Sequence, residues 1–371
     1  MLQLPFDFIK FLLIRYMRNS IYHNLKSDRS FSASTGLTEK EFEELATDFC
    51  SLYEVTQHEF PENFGNEIAF PDGKELLFLL LYYQKTSLTF DNLALSFGVA
   101  RVTIHGYIKI AKTILKLVLK KRNLLPKRFF KDENEIQIFF KDIPDLMIDA
   151  VERQIQRPDN EQQQEAAYSV KKKFTAFKNT IITSDNKFIY FLSKTVLAGK
   201  IHDFNLFKQD FSPFPKAFIS QRLWVDLGYV GIKDVCDALQ IHIPNKRPRK
   251  SKANPKPELS SQQKEYNQFV GKNRVVVENA IAGMKRYNIL VNKYRGKCMQ
   301  FADDIIELCA GLWNFKSDRR CGCQKAQNEI INHSLSNKNK SIIILINNLI
   351  GLKVIFKNSR VIETALDYGV N

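Results

Sequence analysis

The period of the hydrophobic pattern changes near residue 140. Before that point apolar residues recur at helical spacing, whereas after it short apolar or alternating runs are bounded by turn residues, as strands are. The pattern therefore predicts an all-helical part followed by a part that mixes strands and helices. The predicted helices cover residues 39–53, 74–84, 89–97, 101–119, 202–211, 260–286 and 301–315. The predicted strands cover residues 146–149, 174–183, 188–198, 223–226 and 241–244.

Gly98 interrupts the helical pattern between residues 89–97 and 101–119. A helix, a short turn containing glycine and a second helix form the outline of a helix-turn-helix. In this outline the polar residues of the second helix reach phosphates and base edges. An ordinary helical hairpin with solvated side chains fits the same pattern. The residues in question are Arg101, Thr103, His105 and Lys109.

The sequence divides into five predicted parts. Residues 1–35 form an N-terminal helical segment, and residues 36–120 form a helical DNA-binding domain if the helix-turn-helix interpretation holds. Residues 121–140 are rich in lysine and arginine and are predicted to be a basic linker. Residues 141–318 form the mixed α/β domain, and residues 319–371 form a tail without a recognisable motif.

The charge balance narrows the choice of partners. The chain has 55 Lys and Arg against 40 Asp and Glu, a formal charge of +15, which favours an anionic polymer and above all nucleic acid. The six scattered cysteines are typical of free thiols in a reducing compartment. The longest apolar runs are too short to span a bilayer. We therefore expect a cytoplasmic protein that has no membrane partner.

Three carboxylates of the mixed domain could share a metal site. Asp149 and Asp226 each end a predicted strand, although aspartate is disfavoured in strands. Glu278 lies on the helix predicted at 260–286, in one stripe with Arg274 and Lys285. Taken singly, each aspartate fits a strand-end cap and Glu278 fits a surface salt bridge. Together the three carboxylates are hard ligands for two Mg²⁺ or Mn²⁺ ions, which would activate a nucleophile for displacement at phosphorus.

Five short sequences occur in a fixed order in this domain and resemble those of one enzyme family. They are residues 149–158, Tyr168-Ser-Val-Lys-Lys-Lys173, residues 199–203, Asp226-Leu-Gly-Tyr-Val-Gly231, and Arg274-Val-Val-Val-Glu278 with Lys285. The series resembles that of DDE transposases of the insertion-sequence-five superfamily, whose eukaryotic relatives are the Harbinger-type transposases. The resemblance covers roughly residues 35–318, whereas Val170 and Gly271 depart from the residues common in the family.

The resemblance implies a ribonuclease-H-like catalytic domain preceded by an all-α helix-turn-helix domain. It implies that Asp149, Asp226 and Glu278 are the catalytic, metal-binding triad, and that Arg274 and Lys285 belong to the DNA-binding signature around the glutamate. Lys171, Lys172 and Lys173 are expected to contact the DNA backbone, although solvated lysines at an exposed strand start fit the sequence too.

The implied function is transposition. A transposase binds the terminal inverted repeats of its element as double-stranded DNA, cleaves strands with two Mg²⁺ (or Mn²⁺) ions, and joins the new 3′ ends to target DNA. We expect it to act as a homo-oligomer on DNA and, in a bacterium, to be associated with the nucleoid. A catalytically silent DNA-binding regulator and a nuclease of the same fold are the two alternatives.

Two further acidic residues lie close to these motifs in the sequence. Glu152 is expected to pair with Arg153 or Arg157, and Asp203 is expected to cap a helix or to lie near the active site.

Overall fold

The structure is a computed structural model that describes residues 20–64, 68–169, 172–199, 201–250, 252 and 255–321. Predictions for residues 1–19, for Lys171 and for residues 322–371 lie outside the described residues. The described chain forms two compact units, which divide between Lys121 and Arg122. None of the described helices is both long and apolar enough to cross a membrane.

The first unit is helical, as the pattern predicts. Its second helix begins at a capping box, because Thr38 Oγ1 accepts a hydrogen bond from the Glu41 amide (3.2 Å) and the Glu41 carboxylate accepts one from the Thr38 amide (2.9 Å). The helices are α1 Asp28–Thr35, α2 Glu39–Glu59, α3 Gly73–Thr86, α4 Phe90–Phe97 and α5 Arg101–Lys121. Short 3-10 turns occur at Ile21–Asn24 and Pro61–Asn63.

Helix α3 is the centre of this unit. Its residues 76–81 are all apolar and are at most 1% exposed. A helix that is apolar on every side must be enclosed, and α1, α2 and α5 pack against it. Helices α4 and α5 meet at a turn in which Gly98 has φ 62°, a left-handed conformation that glycine adopts without steric cost. The two helices and the turn between them therefore lie at the predicted residues.

The second unit is a mixed α/β unit, as predicted. Its helices are α6 Glu133–Phe139, α7 Glu161–Ala167, α8 Asp203–Phe211, α9 Ser261–Met284 and α10 Met299–Cys321. Its strands are β1 Asp145–Gln154, β2 Tyr168–Ser169, β3 Phe174–Thr183, β4 Ile189–Leu192, β5 Val196–Leu197, β6 Phe218–Trp224 and β7 Ala238–His242. Short 3-10 turns lie at Leu227–Tyr229, Ile232–Asp234 and Asn288–Leu290.

Both parallel and antiparallel pairs occur in the sheet. Its main path runs β2-β3-β1-β6-β7, and β4 and β5 also pair with β3. Strand β1 is parallel to β6, and β6 is parallel to β7, whereas β1 and β3 are antiparallel. The last residue pair between β1 and β6 is Met147 with Trp224, so β1 continues to Gln154 beyond the end of β6. Among the described residues, no strand pairs with β1 on that side between Met147 and Gln154, whose carbonyl accepts a hydrogen bond from the Tyr294 amide (2.9 Å). The candidate site lies along this unpaired edge of β1.

A buried polar network joins α10 to the sheet. Asp303 of α10 pairs with Arg128 and accepts hydrogen bonds from the amide (2.9 Å) and the hydroxyl (2.6 Å) of Thr195. Arg153 of β1 donates to Thr195 (3.1 Å) and to Asn179 (3.2 Å) in the same network. These buried charges are tolerated because each has a partner.

Several predicted boundaries differ from the structure. The strand predicted at 188–198 is divided into β4 and β5, and the strands predicted at 223–226 and 241–244 begin and end earlier, as β6 and β7. Residues 122–140, predicted as a linker, belong to the second unit: they contain α6, and the Phe130 ring stacks on Phe191. The strand predicted at 146–149 continues to Gln154, so Asp149 lies inside a strand and not at its end. The polar residues after Asp149 looked like a strand end, but Arg153 is buried because the network satisfies it.

Candidate active site

A cleft of about 370 Å³ lies along the unpaired edge of β1. Residues 149–152 of β1 all line the cleft. Successive side chains point to opposite faces of a strand, so consecutive residues can line one cleft only along the strand's edge. The acidic lining residues are Asp149, Glu152, Asp203 and Asp226, and the basic ones are Lys172 and Lys285. The cleft thus brings together Asp149 and Asp226, which are 77 positions apart in the sequence.

Asp149 is a half-buried carboxylate with a raised pKa. The pKa of its carboxyl is raised to about 6, mainly by burial and in smaller part by the charges of Asp226 and Asp203. The Ala150 amide, which donates to Asp149 Oδ1 (2.8 Å), and Arg274, whose Nη2 lies 3.4 Å from Oδ2, lower the pKa and so oppose this rise. Asp149 is therefore a carboxylate whose negative charge is only partly compensated.

Asp226 lies two residues past β6 and caps the 3-10 turn Leu227–Tyr229. Its Oδ1 accepts a hydrogen bond from the Gly228 amide at 2.7 Å. A Cβ atom on Gly228 would lie 2.8 Å from Asp226 Oδ1 and 3.2 Å from Asp203 Oδ2. Because both distances run to one point, the two oxygens cannot be further apart than the sum of these distances. Gly228 thus allows the carboxylates of Asp226 and Asp203 to approach one another.

Lys178 is a buried cation that holds two of the cleft's acids. It lies on β3 opposite Glu152 of β1, and its Nζ is 3.0 Å from Glu152 Oε1 and 2.9 Å from Asp203 Oδ1. The third donor bond goes to the carbonyl of Ile201 (2.8 Å). Burial lowers the pKa of Lys178, but the bonds to Asp203 and Glu152 outweigh this and raise it. The expectation that Glu152 pairs with Arg153 or Arg157 is wrong, because Arg153 points into the buried network.

Helix α9 supplies the cationic side of the cleft. Arg274 contacts Asp149, and Ile281 and Lys285 line the cleft on the same stripe of the helix. Burial and the nearby Lys172 lower the pKa of Lys285. Glu278 shares this stripe but is exposed and is not among the lining residues. Within the part of the chain that the structure describes, no three Asp, Glu, His or Cys side chains converge closely enough to hold a metal ion.

Tyr229 is a buried residue close enough to the cleft for three of its acids to act on its pKa. Its side chain is fully buried, and its Oη has no hydrogen-bond partner among the described residues. Burial raises its pKa well above the ordinary value, and Asp149, Asp203 and Asp226 each add to the rise. A buried hydroxyl without a hydrogen-bond partner destabilises the fold, and such groups are uncommon in proteins.

The residues present fit a divalent cation. Carboxylate oxygens are the ligands that Mg²⁺ and Mn²⁺ prefer, and Mg²⁺ needs only one or two protein carboxylates when phosphates supply the rest. Asp149 and Asp226 supply two carboxylates to one cleft, and the orphaned Tyr229 hydroxyl lies beside them.

The predicted DNA contacts fall in both units. In the first unit Arg101 is exposed and lies 3.5 Å from Asp91, while Thr103, His105 and Lys109 of the same helix are half-buried. The His105 ring packs on Phe90 with ring centroids 5.4 Å apart. In the second unit Lys172 lines the cleft and Lys173 is exposed with φ 58°. Lys171 lies outside the described residues.

Sequence reasoning missed two residues and underrated a third. Lys178 lies inside the strand predicted at 174–183, and its sequence neighbours give no hint that it binds two acids. Tyr229 is part of a recognised motif, yet only the structure places its hydroxyl beneath the carboxylates. Asp203 was expected to cap a helix or to lie near the site, and it lies in the first turn of α8 and also lines the cleft.

Comparisons with known proteins bear on the second unit. Residues 148–314 match a protein family described as "DDE superfamily endonuclease". Over 118 residues the chain is 34% identical to a probable transposase for insertion sequence element IS702 from Microchaete diplosiphon. That match covers 32% of this chain and 38% of the relative, so less than half of either protein is compared.

A solved structure is similar only at a coarse level. The piggyBac transposase synaptic complex with hairpin DNA aligns with 93% of this chain and 84% of its own, at 10% identity and a TM-score of 0.38. These values are too low to show a common fold. The family match, by contrast, covers residues 148–314, the segment that contains the cleft residues Asp149 and Asp226. Through residues 148–314 the chain is similar to the DDE superfamily of endonucleases, and its sequence relative is a probable transposase.

Proposed function

We propose that the protein is a transposase that binds the ends of its own element and catalyses metal-dependent DNA strand cleavage and strand transfer. The observation that carries the proposal is the cleft in which Asp149 and Asp226 meet, flanked by Lys172 and Lys285, within the segment that matches DDE endonucleases. The strand order supports a ribonuclease-H-like fold for the catalytic unit, because β1 is antiparallel to β3 and parallel to β6.

In this proposal Asp149 and Asp226 hold divalent cations, Mg²⁺ or Mn²⁺, with two ions expected. The bound ions supply the activation of a water or 3′-hydroxyl and the stabilisation of the leaving oxygen. Lys172 and Lys285 bind the phosphate, since both line the cleft. Lys285 is partly buried, and its attraction to a phosphate is stronger there than in bulk water because the local dielectric constant is lower.

Arg274 holds the Asp149 side chain in place from α9. Its guanidinium is 3.4 Å from Asp149 Oδ2 and is mostly shielded from solvent. We propose Glu278 as the third carboxylate, because it lies one turn from Arg274 on the same stripe. An exposed glutamate loses little by reorienting towards a bound cation.

The first unit is proposed to bind element ends. Helix α5 contains six Lys and Arg and no Asp or Glu, so its sequence is strongly cationic. Arg101, Thr103, His105 and Lys109 lie in the first part of α5, the part that enters the major groove in helix-turn-helix proteins. We propose a homo-oligomer on double-stranded DNA, because transposition joins two element ends to one target.

The test is a product analysis with DNA from both ends of the element in Mg²⁺ or Mn²⁺. A transposase yields nicked ends and also products in which the new 3′ ends are joined to target DNA. Hydrolysis without joined products would instead indicate a nuclease of the same fold. Specific binding without cleavage in either metal would indicate a DNA-binding regulator and would overturn the catalytic proposal.

A further inference from the structure

Asp203 lines the same cleft as the proposed cation ligands, but it was not predicted to be a ligand itself. It is in the first turn of α8, lines the cleft, and raises the pKa of Asp149. Lys178 binds its Oδ1 at 2.9 Å. Its Oδ2 lies on the side of Gly228, to which Asp226 Oδ1 is also turned. One oxygen of Asp203 is therefore fixed, and the other faces the carboxylate of Asp226.

Glu152 shares the same lysine but differs in its second oxygen. Its Oε1 is 3.0 Å from Lys178 Nζ, and its Oε2 accepts a hydrogen bond from the Ser169 hydroxyl at 3.1 Å. Both oxygens of Glu152 thus have protein partners. Lys178 likewise uses all three of its donors, on Glu152, Asp203 and the Ile201 carbonyl, and has none left for a phosphate.

The buried Tyr229 hydroxyl is an independent observation at the same place. It is fully buried, it has no hydrogen-bond partner within the part of the chain that the structure describes, and the charges of Asp149, Asp203 and Asp226 raise its pKa. A cation between the carboxylates would bring ordered water or a reoriented carboxylate oxygen to this hydroxyl and would thereby satisfy it.

We propose that Asp203 is a further cation-binding carboxylate, which acts with Asp226 and is positioned by Lys178. The inference rests on the proposed function, because it concerns the same cleft. The carboxylate pair of Asp203 and Asp226 would hold one divalent cation, while Asp149 remains the ligand on β1. Lys178 restricts Asp203 to one free oxygen, and Gly228 leaves room for the pair to close around the ion.

The test compares two variants, each of which neutralises one of the two carboxylates paired with Lys178. Asp203→Asn and Glu152→Gln both preserve side-chain size and both weaken the Lys178 cluster. Mn²⁺ alone is the probe, titrated into the metal-stripped full-length protein and followed by electron paramagnetic resonance. Thermal unfolding in EDTA shows the structural cost of each substitution.

We expect Asp203→Asn to weaken Mn²⁺ binding about tenfold or more, and Glu152→Gln to weaken it by much less, because both oxygens of Glu152 have protein partners and neither is left for a cation. Asp203→Glu, which keeps the charge, is expected to restore part of the affinity. Equal Mn²⁺ affinities in Asp203→Asn and Glu152→Gln would overturn the proposal, because a purely structural role affects both variants alike. A protein that binds Mn²⁺ through Asp203 but cleaves no DNA would uphold this inference and refute the proposed function.

Discussion

Two glycines of α9 test whether this helix packs against Trp313 of α10. Gly283 is buried, and a Cβ atom there would lie 2.0 Å, 2.3 Å and 2.5 Å from three ring atoms of Trp313. Gly271 lies in the interior of the same helix, is exposed, and would have no atom within 4 Å of an added Cβ. Alanine is therefore expected to act in opposite directions at the two positions.

The expected magnitudes follow from packing and helix propensity. Gly271→Ala removes the entropic cost of glycine in a helix and should stabilise the second unit by about 0.5–1 kcal/mol. Gly283→Ala gains part of the same benefit, but the methyl group overlaps a buried indole, and overpacking typically costs about 1–3 kcal/mol. The net effect of Gly283→Ala should be destabilising by about 1–2 kcal/mol.

Urea unfolding followed by tryptophan fluorescence measures these effects in the intact protein. The chain has two tryptophans, Trp224 and Trp313, and both lie in the second unit, so the signal reports that unit alone. Trp313→Phe in the Gly283→Ala background should recover part of the loss, with Trp224 as the remaining probe. A shift of the same sign for both alanine variants would refute the packing of α9 on Trp313.

Three further predictions concern the cleft, a buried acid and the first unit. Gly228→Ala should abolish most DNA cleavage while leaving thermal stability nearly unchanged, because the methyl group displaces the Asp226 and Asp203 carboxylates; unchanged cleavage would contradict their close approach. Burial raises the pKa of Asp210 to about 7 from 3.8, so its ionised form destabilises the fold increasingly as pH rises between these values. Asp210→Asn should therefore gain stability over the unchanged protein at pH 7.5 but not at pH 4, and a gain independent of pH in urea unfolding would contradict this. Arg101→Ala and Lys109→Ala should each weaken binding to element ends and lower the slope of log K against log salt concentration by about one. Lys40→Ala, at an exposed position of α2, is the control. Equal losses of affinity in all three variants would argue against α5 as the contact.

The sequence predicts most of the regular structure where side-chain periodicity decides it. Strand β3 was predicted at 174–183 and is Phe174–Thr183 in the structure, and the capping box at Thr38 correctly places the start of α2. These elements are determined by residues close in the sequence. Strand β1 was predicted too short because Glu152 and Arg153 look like loop residues, and only partners distant in the sequence make their burial possible.

The candidate site was predictable only in part for the same reason. Asp149 and Asp226 could be singled out because an aspartate after an apolar run is unusual, and the structure places both in one cleft. The roles of Lys178 and Gly228 depend on distances between β3, α8 and the turn after β6, which no local pattern encodes. Glu278 remains a prediction, since its stripe faces the cleft while its own side chain is exposed.

The central claim is that Asp149 and Asp226 form a metal-dependent cleavage site. Its most direct measurement is the rate of strand cleavage of element-end DNA in Mg²⁺ by Asp149→Asn, Asp226→Asn and a control, Asp159→Asn. Asp159 is a suitable control because it is exposed and pairs only at the surface, with Lys297 at 3.1 Å. We predict that the first two variants lose at least about a thousandfold in rate while the control cleaves normally, since each removes a ligand of the reacting ions. Cleavage by Asp149→Asn or Asp226→Asn at the rate of the control would contradict the claim.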